Sequence, residues 1–298
     1  MKTLNIIGPG RLGRTLGALW ARAEALTIQD VLARSTAQGA LAVQFIGAGQ
    51  PAADLAAMRP ADVWLISTPD AQIARTCRAL AEAGLLRAGD VVFHCSGALP
   101  AAELAAAAAQ GARIASVHPL KSFADPAAAQ ATFTGTYCVA EGDAEALDIL
   151  RPAFEAIGAR VSEIDPALKT IYHAASVLVC NDLTALLETG LRCYEKSGIE
   201  RGTAAAMMEP LVRETLDNVF RLGTANALTG PVARGDDAVV ARQLEALAAW
   251  DARAAAIYRA LGAVAVELAR EQGQASAEAL ARLSALLNVE TRPKNTDV

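Results

Sequence analysis

Leu4–Gly13, LNIIGPGRLG, decides how the rest of the chain is read. A short apolar run ends in Gly8-Pro9-Gly10-Arg11-Leu12-Gly13 and passes straight into an Ala- and Leu-rich stretch of helical period. The spacing G-x-G-x-x-G therefore sits in the order strand, tight turn, helix that gives it meaning; outside that order it would be only a glycine-rich turn. Gly8 permits the turn, Gly10 lets the main chain approach a pyrophosphate, and Gly13 lets the helix pack closely on the strand. The unpaired N–H groups and positive dipole end that open the helix then face the phosphates, so no lysine is required there. Pro9, Arg11 and Leu12 complete the expected dinucleotide-binding loop.

The next strand reads as Leu26–Ala33 (LTIQDVLA), and the residue that meets the adenosine ribose is expected about 20 positions beyond the last glycine. Arg34-Ser35 stands there instead of Asp or Glu. A carboxylate would accept the ribose 2′-hydroxyl and repel a 2′-phosphate, whereas a guanidinium and a hydroxyl pair with a phosphate dianion. NADP is favoured over NAD. The plain alternative for Arg34 is a solvated surface arginine.

With 298 residues, 53% hydrophobic and 20% charged, the chain is natural for two globular domains with a sizeable core. A formal net charge of −5 without a basic stripe argues against nucleic acid or an anionic membrane as the main partner, leaving a small-molecule substrate. Five cysteines (Cys77, Cys95, Cys138, Cys180, Cys193) are an odd number without C-x-x-C or metal-ligand spacing, so neither a disulfide framework nor a metal site is expected, which suits a reducing cytoplasm. Gly8, Pro9, Arg11 and Arg14 interrupt an N-terminal run that otherwise resembles a signal sequence, and no window holds about 18 uninterrupted apolar residues, so no membrane span is expected.

Farther along, Thr36–Phe45 reads helical and Gly47–Pro51 as a turn. Ala61–Ser67 (ADVWLIS) is a buried strand ending in Thr68-Pro69-Asp70, with Pro69 suited to open the helix Ala71–Ala83. Val91–Cys95 is a strand ending at Ser96-Gly97, Pro100–Gln110 a crossover helix, and Arg113–Val117 a strand ending at His118. Three strands thus end in small or polar residues: Ser67-Thr68, Ser96-Gly97 and His118. In an open α/β sheet the ligand lies beyond the carboxyl ends of the strands, so these turns are expected to line one crevice. Tyr137–Ala140, a helix over Ala144–Ile157 and Arg160–Glu163 add one more β-α-β element. From Pro166 to about Leu286 only helical periods appear, over Ala167–Lys196, Ile199–Leu222, Asp236–Leu247, Trp250–Gln272 and Ala275–Leu286. The polar tail Asn288–Val298 is expected to fray.

The first of those helices carries a polar stripe. At 100° per residue Lys169, His173, Ser176 and Cys180 fall within about 60° of one another, with Asn181 on the flank. A buried Lys or His without partners is costly, so the stripe must face solvent, a cleft or a polar network. It reads either as groups that polarise and protonate a carbonyl or imine beside a nicotinamide, or as an exposed lysine and a satisfied core histidine. His118, at a strand end, is a candidate for catalysis or for a loop-orienting hydrogen bond, whereas His94, inside VVFHC, reads as structural. Lys121 and Ser122 are candidate anion contacts. In the late loop LTGPVARGD, Asp236 is expected to cap the next helix; Arg234 is left unexplained, and its loop is a candidate to complete the site from its own subunit or a partner.

Taken together, IIGPGRLG, LARS, LISTPD, HCSGAL, SVHPLKSF, KTIYHAASVLVCN and LTGPVARGD closely resemble bacterial oxidoreductases in which a Rossmann-like domain is followed by the domain of unknown function 2520. More distantly the first domain looks like deazaflavin-dependent NADP reductases and pyrroline-5-carboxylate reductases, and the His-Pro-Leu turn is similar to the His-Pro-Met turn of prephenate dehydrogenases. The wider superfamily, including 6-phosphogluconate dehydrogenases, implies a Lys and an Asn one turn apart on the helix after the sheet; Lys169 fits, but His173 stands one turn later and Asn181 three turns on. The expected architecture is α/β: a doubly wound Rossmann domain over 1–164, an all-helical substrate and dimerisation domain over 165–288, and a flexible tail over 289–298. The expected function is NADP-dependent hydride transfer to or from a small carbonyl, imine or hydroxyl compound, with Lys169 or His173 as acid/base and Asn181 and His118 as orienting groups. Hydride exchange with a deazaflavin, and non-catalytic NADP(H) sensing, are the alternatives. Apolar faces in excess of what the sheet can cover point to a homodimer through the helices.

Overall fold

The computed structural model describes residues 1–287; the tail expected over 289–298 lies outside the described residues. The chain forms two compact units, Met1–Val179 and Cys180–Val298, in a fold that is α/β with a helical remainder.

The first unit is built on one eight-stranded sheet. In chain order the strands are β1 (Thr3–Ile7), β2 (Thr27–Leu32), β3 (Gln50–Ala52), β4 (Val63–Ile66), β5 (Val91–His94), β6 (Arg113–Pro119), β7 (Tyr137–Gly142) and β8 (Arg160–Glu163). Their spatial order is β3-β2-β1-β4-β5-β6-β7-β8, and all neighbours are parallel except β6 and β7. The continuous burial of Val63–Ile66 and Val91–His94 follows from helices covering both faces of a parallel sheet. Those helices are α1 (Arg11–Arg22), α2 (Thr36–Ile46), α3 (Ile73–Glu82), α4 (Ala105–Ala108), α5 (Pro126–Ala131) and α6 (Ala144–Ala156). Two apolar clusters result. In one, Trp20 of α1 meets Phe154 of α6 edge-on at 5.2 Å between ring centroids, and its indole N–H donates to the Ala153 carbonyl at 3.0 Å. The other gathers Trp64, Ile66, Ile73, Leu80 and Leu104.

Two short elements differ from expectation. Gln50–Ala52, expected as part of a turn, pairs with β2 as the edge strand, a place that tolerates Pro51. The crossover expected as one helix over Pro100–Gln110 is a 3₁₀ turn, Ala101–Leu104, followed by the single-turn α4.

The run after the sheet also departs from a single regular helix. A 3₁₀ turn at Pro166–Leu168 leads into α7 (Lys169–Val177), then a π-helical turn at Leu178–Asp182, then α8 (Leu183–Lys196). Over an 18-residue window Pro166–Lys196 reaches a mean hydropathy of 1.2 with none of that window buried, so by length and composition it passes as a membrane-spanning helix. Its polar residues include Lys169, whose side chain is tied into the sheet unit. The second unit continues with α9 (Arg201–Leu222), α10 (Thr224–Ala227), α11 (Pro231–Arg234), α12 (Asp237–Trp250), α13 (Ala252–Gln272) and α14 (Ala277–Leu286) around a small core of Val240, Val266, Leu280 and Leu283.

Candidate functional site

The nucleotide end grows from β1. Gly8 has φ +82°, in the region that favours glycine, and a Cβ there would come within 2.9 Å of the Thr68 amide nitrogen. Gly13 lies so close to Ser67 Oγ that a Cβ would collide with it, and Ser67 Oγ donates to the Gly8 carbonyl at 2.8 Å, knitting the turns after β1 and β4 together. Gly10 is different: a Cβ there would meet nothing nearer than the Gly8 carbonyl oxygen at 3.9 Å, so the main chain is open to a ligand. The cleft beside it, about 460 Å³, is lined by Gly8, Pro9, Gly10, Arg34, Ser67, Thr68 and Pro69 of the expected set, together with Arg14, Gln38, Leu41 and Gln72 that sequence reasoning missed. A glycine turn with bare backbone at the start of α1 and an exposed guanidinium at the end of β2 fits a dinucleotide phosphate chain.

Other residues of the expected set do not line that cleft. Arg11 is exposed on the first turn of α1 and Leu12 packs on the core. Ser35 caps α2, its oxygen accepting the Gln38 N–H at 3.3 Å, which leaves its own O–H free to donate. Ser96 is buried and spent internally: its hydroxyl donates to Asp70 at 2.8 Å and accepts the N–H groups of Ala98 and Leu99.

The second focus stands at the carboxyl ends of β5 and β6. His118 Nδ1 and the Tyr172 hydroxyl lie 2.8 Å apart, and the His118 and His173 rings meet edge-on at 6.2 Å. Both imidazoles close over Gly97, where a Cβ would fall 2.7 Å from His118 Cε1 and from His173 Cδ2. Burial, reinforced by the Lys169 cation and by His173, pulls His118 down to about 4, so the ring is neutral near pH 7. Burial pushes the Tyr172 phenol up to about 12, so it keeps its proton. Among the described residues no protein hydrogen bond engages the His173 ring. Tyr172 was missed in the sequence, although its angle on α7 puts it about 60° from Lys169, on the same side.

Lys169 takes a different place from the one expected. Its side chain is 1% exposed; Nζ donates to Ser116 Oγ at 2.8 Å and lies 3.5 Å from Glu141 Oε1. Burial lowers its pKa and Glu141 opposes that. The stripe therefore faces a polar network at this end, and Lys169 does not line an open crevice. Cys180 and Asn181 sit in the π turn, exposed; a π turn inserts a residue and rotates the helix beyond it, so extrapolating 100° per residue past Val177 fails. Asn181 belongs to the second compact unit, while Lys169, Tyr172 and His173 belong to the first.

His94 is structural, as its sequence context suggested. Nδ1 accepts the Ser96 N–H at 3.1 Å and Nε2 lies 3.1 Å from the Pro100 carbonyl, which fixes the Nε2–H tautomer; burial holds its pKa near 4. Lys121 Nζ is spent on the Thr132 carbonyl at 2.8 Å. In the second unit Asp236 precedes α12 without capping it through its side chain and instead pairs with Arg234 at 2.9 Å.

A family model described as a Rossmann-like domain matches residues 2–119, and one described as a domain of unknown function (DUF2520) matches residues 136–284. No curated protein matches the sequence. Among solved structures, a Thermotoga maritima protein is 26% identical over 91% of this chain and 99% of its own, with a TM-score of 0.73. A Bacteroides fragilis protein assigned as an NADP oxidoreductase is 22% identical over 91% of this chain and 96% of its own, with a TM-score of 0.68. An imine reductase from Myxococcus stipitatus, solved in complex with NADP+, is 17% identical over 94% of this chain and 99% of its own, with a TM-score of 0.64. The last two likenesses concern the fold. Ser116 and His118 fall in the first matched region, and Glu141, Lys169, Tyr172 and His173 in the second, so the polar cluster joins side chains from both. With residues 136–284 matched behind a matched Rossmann-like region, the chain belongs to the family of the domain of unknown function DUF2520.

Proposed function

We propose that this protein is an NADP-dependent oxidoreductase that moves a hydride between the nicotinamide and a small carbonyl, imine or hydroxyl compound. One observation carries the reading: the glycine cradle and the His118–Tyr172–His173 cluster both stand at the carboxyl ends of the central parallel strands, the first at β1 and β4, the second at β5 and β6. The Bacteroides protein assigned as an NADP oxidoreductase and the imine reductase solved with NADP+ share this fold, which supports the cofactor. The cofactor supplies the hydride chemistry; the chain binds, orients and exchanges a proton. Arg34 and the Ser35 O–H receive the 2′-phosphate, and the backbone at Gly8–Gly10 receives the pyrophosphate. His173 is the proton-exchanging group, because His118 and Tyr172 are held neutral and Lys169 is buried; His118 and Tyr172 orient the reacting oxygen or nitrogen. Five free cysteines suit a reducing compartment.

The functional unit in this reading is a homodimer formed through the helical unit. Phe220 is 86% exposed and Leu211 56%, and a hollow of about 600 Å³ with an apolar lining that includes Leu186, Met208 and Leu247 opens among the helices.

The test is NADPH oxidation on a panel of keto acids, imines and a deazaflavin, with thermal shift alongside. His173→Asn is expected to lower kcat by roughly 10²–10⁴ with NADPH affinity nearly unchanged. Full turnover in that variant removes the proposed role, turnover on deazaflavin alone selects hydride exchange between cofactors, and a thermal shift without turnover on any substrate selects a sensor.

A further inference from the structure

The buried residue that helix α7 places against the sheet is a charge. Of Lys169–Val177 only Lys169 is buried, while Ile171 is 67% exposed and, beyond the helix, Leu178 and Val179 are 62% and 67% exposed. Amphipathic helices ordinarily dock through an apolar stripe. Here the seat is polar. Ser116 and His118 alternate onto one face of β6, and Glu141 lies opposite Ser116 in the antiparallel register with β7, so all three present side chains to the same side. Along α7, Lys169 and Tyr172 are one turn apart, matching two residues along the strand: Nζ meets Ser116 Oγ and Glu141 while the phenol meets His118.

We propose that Lys169 and Glu141 are positioning residues whose buried ion pair seats α7 on the sheet, so that Tyr172 and His173 meet His118 over Gly97, and that Lys169 is not the proton donor. Glu141 Oε1 also accepts the Ala101 N–H at 2.8 Å, and Ser116 Oγ donates to the Ser96 carbonyl at 3.3 Å, so the pair is tied to the turn after β5 as well as to β6 and β7. Glu141 Oε2 is buried without a partner, so removing the lysine leaves a carboxylate in the interior with little to compensate it. The cation has a second effect. It faces His118 together with His173 and Tyr172 from α7 and Asp70 from the turn after β4; Lys169 and His173 lower the His118 pKa and Asp70 raises it. Replacing Lys169 by a neutral residue therefore raises the pKa of His118.

This inference rests on the oxidoreductase reading for its kinetic arm only. The experiment compares Lys169→Met, Glu141→Gln and the double variant by thermal unfolding, by NMR titration of the imidazole C–H signals of the three histidines in the protein without substrate, and by kcat and KM. Each single variant leaves one buried charge unpaired and is expected to lose melting temperature and at least about 10²-fold in kcat through misplacement of α7. The double variant leaves none. It is expected to recover most of the melting temperature and to return kcat to within about tenfold of the native protein, with the His118 signal titrating at higher pH than in the native chain. If Lys169 is the proton donor, neutralising Glu141 cannot restore turnover, and a double variant as inactive as Lys169→Met overturns the proposal. A double variant no more stable than either single, or an unchanged His118 titration in Lys169→Met, also overturns it. Unfolding and titration read the ion pair even if no substrate is turned over, so failure of the oxidoreductase reading and failure of this one are told apart.

Discussion

Arg34→Asp is the perturbation that addresses the nucleotide end most directly. Arg34 is exposed at the end of β2, on the wall of the cleft whose floor is the Gly8–Gly10 turn, and it belongs to the segment leading into the cap of α2. A charge-assisted contact to a 2′-phosphate contributes about 1.5–3 kcal/mol that NADH cannot collect, which is roughly 10–10²-fold in affinity. The carboxylate adds repulsion: with a dianion at about 5 Å in water this is near 1.7 kcal/mol before salt screening and about half that after it. NADPH affinity should therefore fall by roughly 10², and by up to about 10³, while NADH binding changes less than about tenfold. Ser35→Ala is a less clean probe, because it also removes the cap of α2 at a cost of about 1 kcal/mol. Isothermal titration of both cofactors against the native protein and Arg34→Asp measures the effect. Equal binding of NADH and NADPH to the native protein refutes the argument for the 2′-phosphate, and binding of neither refutes the dinucleotide site.

Acid should destabilise the protein through its histidines. His94 is fully buried and held near 4 against an ordinary 6.5, so the unfolded chain takes up a proton first as pH falls; stability is intact above about 6.5 and is lost between 6.5 and 4, by up to about 3 kcal/mol for this group. Denaturant midpoints at pH 7.5, 5.5 and 4.5 check this, and His94→Gln should flatten the slope. Gly97→Ala puts a methyl group 2.7 Å from both imidazoles, so kcat should fall by about 10²-fold; initial rates decide it. Light scattering should give twice the 30.9 kDa chain mass, and Phe220→Glu with Leu211→Glu should give the single chain; a native monomer at micromolar concentration ends the dimer proposal.

Much of the fold was legible because its elements obey local rules. The Gly8–Gly13 turn, the apolar runs at Val63–Ile66 and Val91–His94, and the helical periods after Pro166 each announce themselves within a few residues. Gln50–Ala52 did not, because Gly49 and Pro51 carry turn chemistry and only the neighbouring β2 makes an edge strand of them. The π turn at Leu178–Asp182 was equally silent, and it alters the angular spacing on which Asn181 was placed at the flank of the stripe.

The candidate site shows a sharper division, between what a residue is and where its side chain ends. Residue types and helical spacing brought Lys169 and His173 to one face, and the same spacing includes Tyr172. What spacing cannot give is depth. The partner that takes Lys169 out of the crevice is Glu141, 28 positions earlier in VAEG, and it reaches the lysine only because β7 runs antiparallel to β6 with Glu141 opposite Ser116. That register is a tertiary fact, invisible to any window of sequence. Once it is known, the proposed roles follow: a lysine paired with a buried carboxylate is suited to holding a helix in place, and the proton-exchanging role is assigned to His173, one turn along that helix, over the glycine that leaves room for it.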